Sequence, residues 1–378
     1  MADEVKASIS LGNLKHALKT TAMANSKASL IPTLQGVRIE QIDSGLALEA
    51  TDLDVFIRVV LPELGGPQQP IVTPAEKFHA WTKLLDGQDV TISANSARAT
   101  MKCGRAKAVL PLIPAANWPS NDIYGLKADG ITLTQGAFAR ALSFAQIAVG
   151  SDDSRFTLNG IQVQGDGSKL CAVATEGHCL VLYTVPCEEK INLLLPGRLV
   201  KVLLPLLTDA DGGVDLAFSD TQILASIDAD TKMYVGSPRM NGKFPNWEMI
   251  MPRDPRTDVK VKVSDLAASL ERCALLSDKK TGAIDLTFTG GELILHAADA
   301  QSGEADETVP VEGALTDDFK TRLNADFLRA LVKKLSGDLT IAVPEKNDKA
   351  MLFKAEPHEG ETLGYVVMPM RLNQCPGR

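Results

Sequence analysis

No run of the 378 residues is long and apolar enough to span a bilayer; the most conspicuous, Val202 to Leu207, is short and broken by Pro205. The opening residues, MADEVKASIS, carry acids and no apolar core, so no secretory signal is expected there. Cysteine is sparse, with six residues and no C-x-x-C pair, which excludes the common zinc and dithiol-redox frameworks and points to a reduced, cytoplasmic protein. Cys171, Cys179 and Cys187 recur every eight residues beside His178, but strand-borne core thiols account for them, and no metal or cofactor is expected. Also missing are G-x-x-x-x-G-K-S/T, H-E-x-x-H and G-x-S-x-G. Cys179 and His178 are adjacent and cannot face one another on a strand. No catalytic residue is assigned. A net charge of −8 argues against nucleic acid only if charge is spread evenly.

What is present is one pattern stated three times. Leu34 opens LQGVRIEQIDSGLALEATDLDVFIRVVLPE, Leu158 opens LNGIQVQGDGSKLCAVATEGHCLVLYTVPCE, and Thr281 opens TGAIDLTFTGGELILHAADAQSGEADETVPVE. Each reads as strand, Gly-containing turn, strand, Ala-Thr or Ala-Ala with acids, and a third strand ending near Pro-Glu. The spacing is too long for a solenoid, so this is domain triplication. The hydrophobic share of 45% gives each copy enough material for its own core. Breaks between copies are expected near Tyr124 to Gly130 and Met251 to Asp258, the latter rich in Pro, Asp and Arg.

Two amphipathic helices are expected in each copy. Ser10 caps one with Leu11, Leu14 and Leu18 on its apolar face and Lys15 and Lys19 on another. Thr73-Pro74 opens a second, burying Phe78, Trp81 and Leu85 and carrying Lys77 and Lys83. The central copy offers Thr134 to Val149 with Arg140, then Pro196 to Leu207 with Arg198 and Lys201. The last copy offers Ser264 to Leu276 with Arg272, then Asn324 to Leu335 with Arg329, Lys333 and Lys334. Loops after each first helix add Lys27, Arg155, Lys279 and Lys280. Acids gather instead in turns and outer strands: Asp52, Asp54, Glu188, Glu189 and Glu304 to Glu307. A body with a positive lining and a negative exterior follows. Strands outnumber helices without strict alternation, so the class is α+β with antiparallel sheet.

Five short motifs fall in order: ATDLDV at Ala50 to Val55, LNG at Leu158 to Gly160, ATEGHCL at Ala174 to Leu180, GKFPNW at Gly242 to Trp247, and YVVMPMRL at Tyr365 to Leu372. With the triplication, they make the whole chain similar to the bacterial DNA polymerase III beta subunit family, the sliding clamps. The resemblance implies three tandem clamp domains (1–126, 127–253 and 254–378), each with two helices packed on antiparallel sheets. It implies a head-to-tail homodimer closing six domains into a ring around double-stranded DNA, without sequence preference. Twelve helices at about 10 Å spacing give a circumference of about 120 Å, leaving a hole of roughly 28 Å, wide enough for a duplex and water. The residues placed on the DNA-facing side are Lys15, Lys19, Lys27, Lys77, Arg140, Arg155, Arg198, Lys201, Arg272, Arg329 and Lys333.

The resemblance also implies partners: replicative and repair polymerases and the clamp loader, which insert a short segment containing Gln and Leu or Phe into an apolar pocket. No membrane is implied. The matching pocket positions are Leu158, Thr175, Gly177, His178, Leu180, Pro245, Val366, Val367, Met368, Pro369, Met370 and Arg371. Leu, Val and two Met make an adaptable floor, and a strand edge can pair with an extended peptide. Three positions depart from the family pattern. Cys179 stands where an Arg commonly follows the His, Glu248 and Met249 where a basic residue is usual, and Thr281 in place of an aromatic. A less basic, more open pocket is expected. Asn373 to Arg378 extend past the usual Arg-Leu end, beside the pocket. Two other readings of these features are a divergent paralogue, serving a special repair or plasmid polymerase or resisting a clamp-directed inhibitor, and an interaction hub that no longer closes. Basic faces kept on six helices oppose the hub.

Overall fold

The structure, a computed structural model, describes residues 6–26, 29–62, 65–67, 69–119, 123–126, 130–151, 153–208, 211–229, 231–253, 255–313 and 317–371. The first copy runs β1 (Lys6–Ser10), α1 (Leu11–Thr21), β2 (Gly36–Ile42), β3 (Gly45–Thr51), β4 (Phe56–Leu61), β5 (Ile71–Pro74), α2 (Ala75–Lys83), β6 (Asp89–Ala94), β7 (Arg98–Cys103) and β8 (Ala106–Pro111). The second runs β9 (Gly130–Thr134), α3 (Gln135–Ala145), β10 (Gly160–Asp166), β11 (Lys169–Thr175), β12 (Cys179–Pro186), β13 (Lys190–Pro196), α4 (Gly197–Leu203), β14 (Gly213–Phe218), β15 (Gln222–Asp228) and β16 (Lys232–Pro238). The third runs β17 (Thr257–Lys262), α5 (Val263–Leu275), β18 (Ala283–Thr289), β19 (Glu292–Asp299), β20 (Gly303–Pro310), β21 (Phe319–Asn324), α6 (Ala325–Val332), β22 (Asp338–Val343), β23 (Met351–Ala355) and β24 (Thr362–Val367). Every copy is therefore strand, helix and three strands, said twice.

Local chemistry sets the helix starts. The Ser10 hydroxyl accepts the Asn13 N–H at 3.3 Å, and the Asn324 side chain accepts the Asp326 N–H at 2.8 Å. Leu14 and Leu18 are buried as the periodicity requires. One expected start is corrected. Thr73 pairs with Val37 inside β5, and Pro74 ends that strand before α2 opens at Ala75. β5 is an edge strand, where a residue without an N–H is tolerated.

The chain divides into two compact units, Met1–Ala139 with Arg198–Met240, and Arg140–Gly197 with Asn241–Arg378. The first holds an eight-stranded sheet, β5-β2-β3-β4-β16-β15-β14-β9, and a four-stranded sheet, β1-β6-β7-β8. The second repeats this with β13-β10-β11-β12-β24-β23-β22-β17 and β20-β19-β18-β21. Neighbouring strands are antiparallel throughout. In each eight-stranded sheet the third strand of one block joins the last strand of the next copy. Phe56 faces Gly236 across β4 and β16, and Leu180 faces Val366 across β12 and β24. The same two kinds of strand, β8 and β20, end the four-stranded sheets as open edges among the described residues.

In the first unit α1 packs over β3 and β4, and every position of β3 is buried. That buries Glu49, whose carboxylate accepts hydrogen bonds from Arg38 at 2.8 Å and Arg58 at 2.6 Å. Without them, a carboxylate there would face the full desolvation penalty. In the second unit α5 packs over β19 and β20, with Leu266 and Leu270 buried.

One turn is built the same way in both units. The Thr51 hydroxyl donates to the Val55 carbonyl at 2.8 Å and accepts the Leu53 N–H at 2.9 Å, while Asp52 accepts the Val55 N–H at 2.8 Å. Thr175, Gly177, Cys179 and Glu176 make the equivalent bonds. The third residue must be left-handed: Gly177 has φ +106 and Leu53 has φ 78, the one positive φ outside glycine among the described residues. Leu53→Gly should therefore raise unfolding stability by about 0.5–1 kcal/mol, read by urea denaturation. A loss of stability would mean that the Leu53 side chain contributes more than its backbone costs.

Candidate functional site

In the second unit a cleft of about 770 Å³ opens beside the end of β24. One wall is Met249, Ile250, Met251, Pro252, Arg253 and Pro255; the other is the loop from Pro344 to Ala350, with Ala342, Leu352 and Met368 completing it. The prolines keep both walls out of regular structure, leaving their side chains to face the gap. Met249 is 80% exposed, Met368 44% and Ile250 41%, an unusual concentration of apolar surface.

Of the twelve positions expected in a pocket, Met368 lines this cleft directly. Leu180 and Val366 are not in its lining but continue a cross-strand row from Leu352, which is. Leu158, Thr175, Leu180, Val366 and Val367 are all buried. Gly177 and His178 sit on the turn after β11; Pro245 and Arg371 are exposed, and Pro369 and Met370 half-buried. The chain past β24 stays tied down, with the Met368 N–H donating to the His178 carbonyl and the Met370 N–H to the Arg322 carbonyl, both at 2.8 Å. Gly242 lies against Thr157, bringing the segment before Pro245 alongside the residue before Leu158.

Electrostatics around the turn are local. Burial alone would raise the Glu176 carboxyl, but the N–H groups of His178 and Cys179 outweigh it and hold the pKa below the usual carboxylate range. Burial pushes the Cys179 thiol up to about 12, so it is no thiolate at neutral pH. Among the described residues no cluster of three metal-ligating side chains occurs.

Sequence reasoning missed Arg253, which falls in the Met251 to Asp258 break, and the Pro344–Ala350 loop, which carries none of the five motifs. They change one expectation. Arg253, Lys346 and Lys349 line the cleft beside one lining acid, Glu345, so three cations face it despite Cys179 and Met249, with Glu248 and Asp348 exposed on adjoining positions. The run Asn373 to Arg378 lies outside the described residues.

The cations expected on helix faces divide into two groups. In the first unit, Lys19, Lys77 and Lys201 are exposed and their side chains make no ion pair or hydrogen bond with the described residues. Lys15 instead donates to the Leu85 carbonyl at 2.7 Å, and Arg198 binds Asp52 at 2.6 Å and the Met23 carbonyl at 2.7 Å. In the second unit, Arg272 binds Glu307, and Arg329 binds Glu271 at 2.6 Å, with Lys333 at 3.3 Å from the same carboxylate. Arg140 grips the buried Glu361 through two nitrogens, at 3.1 and 2.7 Å, while the Tyr183 hydroxyl takes the other side at 2.5 Å. Burial would raise the Glu361 carboxyl; Arg140 and Tyr183 hold it low. Arg140 is thus paired with a carboxylate, as Arg272 and Arg329 are, and is 25% exposed. Arg155 lies against Gly177, where an added Cβ would sit 2.4 Å from its guanidinium, so it belongs with the turn. Lys27 lies outside the described residues. No helix among the described residues is long and apolar enough to cross a membrane.

Three family models match in succession: the DNA polymerase III beta subunit N-terminal domain over residues 5–122, its central domain over 132–246, and its C-terminal domain over 248–371. The beta sliding clamp of Pseudomonas aeruginosa is 28% identical over 365 residues, covering 94% of this chain and 96% of the relative. That of Escherichia coli K12 is 26% identical over 352 residues, covering 90% and 93%. Among solved structures, the DNA polymerase III subunit beta of P. aeruginosa superposes with a TM-score of 0.88 at 25% identity, covering 97% of this chain and all of that one. A P. aeruginosa sliding clamp bound to griselimycin superposes with a TM-score of 0.87 at 25% identity, covering 98% and 100%.

Proposed function

This chain belongs to the DNA polymerase III beta subunit family, and from that premise we propose how its own residues do the work of a DNA sliding clamp. Two copies close head to tail into a ring of six domains around duplex DNA, tethering a polymerase by topology and raising its effective concentration at the primer end. The observation that carries this is the match of all three domains, in order, along the chain. The reading assigns the chain no catalysis and a cytoplasmic place of work. Domain limits near 126 and 253 are retained with it.

Exposed lysines without internal partners, Lys19, Lys77 and Lys201, are proposed to meet phosphates; the paired arginines meet them less, since carboxylates already neutralise them. Reversing all three to Glu should weaken duplex binding at least about tenfold at low salt. It should also flatten the slope of log K against log salt by up to about 2.7. An unchanged slope in a titration of fluorescent duplex would take these lysines off the lining. Polymerases, the clamp loader and repair factors dock a short peptide at the cleft by Met249 and Met368, beside the row of Leu180 and Val366.

Ring closure is proposed to use two of the four edge strands of the four-stranded sheets, β8 and β20. Across β4 and β16, Arg58, four residues before Pro62, faces Tyr234, four residues before Pro238. The corresponding prolines are Pro310 at the end of the acidic β20 strand and Pro111 at the end of β8. The transferred register sets Asp306 of one copy opposite Lys107 of the other, and Ala305 opposite Ala108. A cation then meets an acid at the centre of the pairing.

A further inference from the structure

The basic rim of the cleft is explained neither by apolar docking nor by the family's usual cation, which Met249 replaces. Arg253, Lys346 and Lys349 are all exposed, come from two separate segments, and face one gap whose lining holds one acid, Glu345, with Asp348 also exposed on the Lys346–Lys349 loop. The Lys349 N–H donates to the Lys346 carbonyl at 3.1 Å, but no side chain of the three makes an ion pair or hydrogen bond with the described residues, so their charge is open to a ligand. Between them lie Met249, Ile250, Leu352 and Met368, which would take the apolar side chains of a peptide. An apolar floor walled by cations favours one class of segment over its neutral and basic counterparts.

We propose that this cleft selects partner segments whose Leu or Phe anchor is flanked by Asp or Glu, with Lys346 and Lys349 as the residues that set the preference. The inference rests on the peptide-docking reading above and names the partner's chemistry. Charges at an exposed rim act mainly on discrimination and encounter rate, so the preference should fade with salt while apolar anchoring persists. Reversing the rim should reverse the preference without emptying the floor.

Three fluorescent peptides with one Gln-Leu-Ser-Leu-Phe core and Asp-Asp, Ser-Ser or Lys-Lys flanks test this by anisotropy on the full chain. The Asp-flanked peptide should bind about tenfold tighter than the Lys-flanked one at 50 mM salt, with the Ser-flanked one between them. Lys346→Glu with Lys349→Glu should erase or invert that order while retaining affinity for the Ser-flanked peptide. Equal binding of all three peptides, or an order unchanged in the double variant, overturns the inference and leaves docking intact. Failure of every peptide to bind overturns the docking reading and this inference with it. Both lysines are fully exposed loop residues, so the variant should fold, and an unchanged thermal midpoint checks it.

Discussion

Met249→Asp together with Met368→Asp should reduce partner-peptide affinity more than a hundredfold while the protein stays folded and dimeric. Both side chains are largely exposed, so a carboxylate at either stays hydrated in the free protein and costs little stability. In the complex the same carboxylates would be pressed under the peptide's apolar anchors without a partner. Each such burial costs on the order of 1–3 kcal/mol or more, enough for two decades in affinity when taken together. Leu180→Asp is a different experiment, because Leu180 is 1% exposed and sits within a paired strand. It should cost several kcal/mol of stability and unfold the domain rather than silence the cleft. Anisotropy with a Gln-Leu-Ser-Leu-Phe peptide, beside sedimentation, separates the two. If the methionine pair binds peptide normally, the cleft is not the docking site.

The second large effect concerns assembly. Lys107→Glu should weaken the dimer, because it sets two carboxylates opposite one another in the proposed register. A closed two-subunit ring contains that contact twice, so about 1 kcal/mol at each interface becomes about thirtyfold in the dimer dissociation constant. The reciprocal change, Asp306→Lys, should do likewise, with a further loss because it removes the 2.9 Å contact between Asp306 and His296. Combining both restores opposite charges and should recover much of the affinity. Sedimentation at nanomolar protein reads the result. Additive weakening in the double variant would mean that the two residues do not face each other.

How much of this the chain discloses depends on how local each cause is. Helix starts at Ser10 and Asn324 were legible because a cap and its partner lie within three residues. The Ala-Thr-acid turns were legible as repeated motifs, since side chain and backbone partner sit within four positions. The short strand before each helix was not, because stretches such as Lys6–Ser10 and Thr257–Lys262 are polar on one face and look like lead-in. Partners of the basic helix faces were invisible for another reason. Glu361 lies 221 positions from Arg140, and a pairing at that separation leaves no periodic trace in the sequence. So a count of lysines and arginines on helices overstated the free positive charge, while the same blindness hid the rim formed by Arg253, Lys346 and Lys349. Met368 was reached through the C-terminal motif, the cations beside it only in three dimensions.

The open edges at β8 and β20 carry a consequence for assembly size. They are unlike surfaces, so the contact proposed between them is heterologous, and nothing in the hydrogen-bonding itself stops at two copies. An added chain always presents a fresh acceptor at its far end. Only the turn angle accumulated along each protomer decides whether the series bites its own tail or runs on as a filament. Substitutions that leave both edges intact but alter bending along the protomer would therefore act on stoichiometry, and would be seen as polymers or larger rings rather than as monomers.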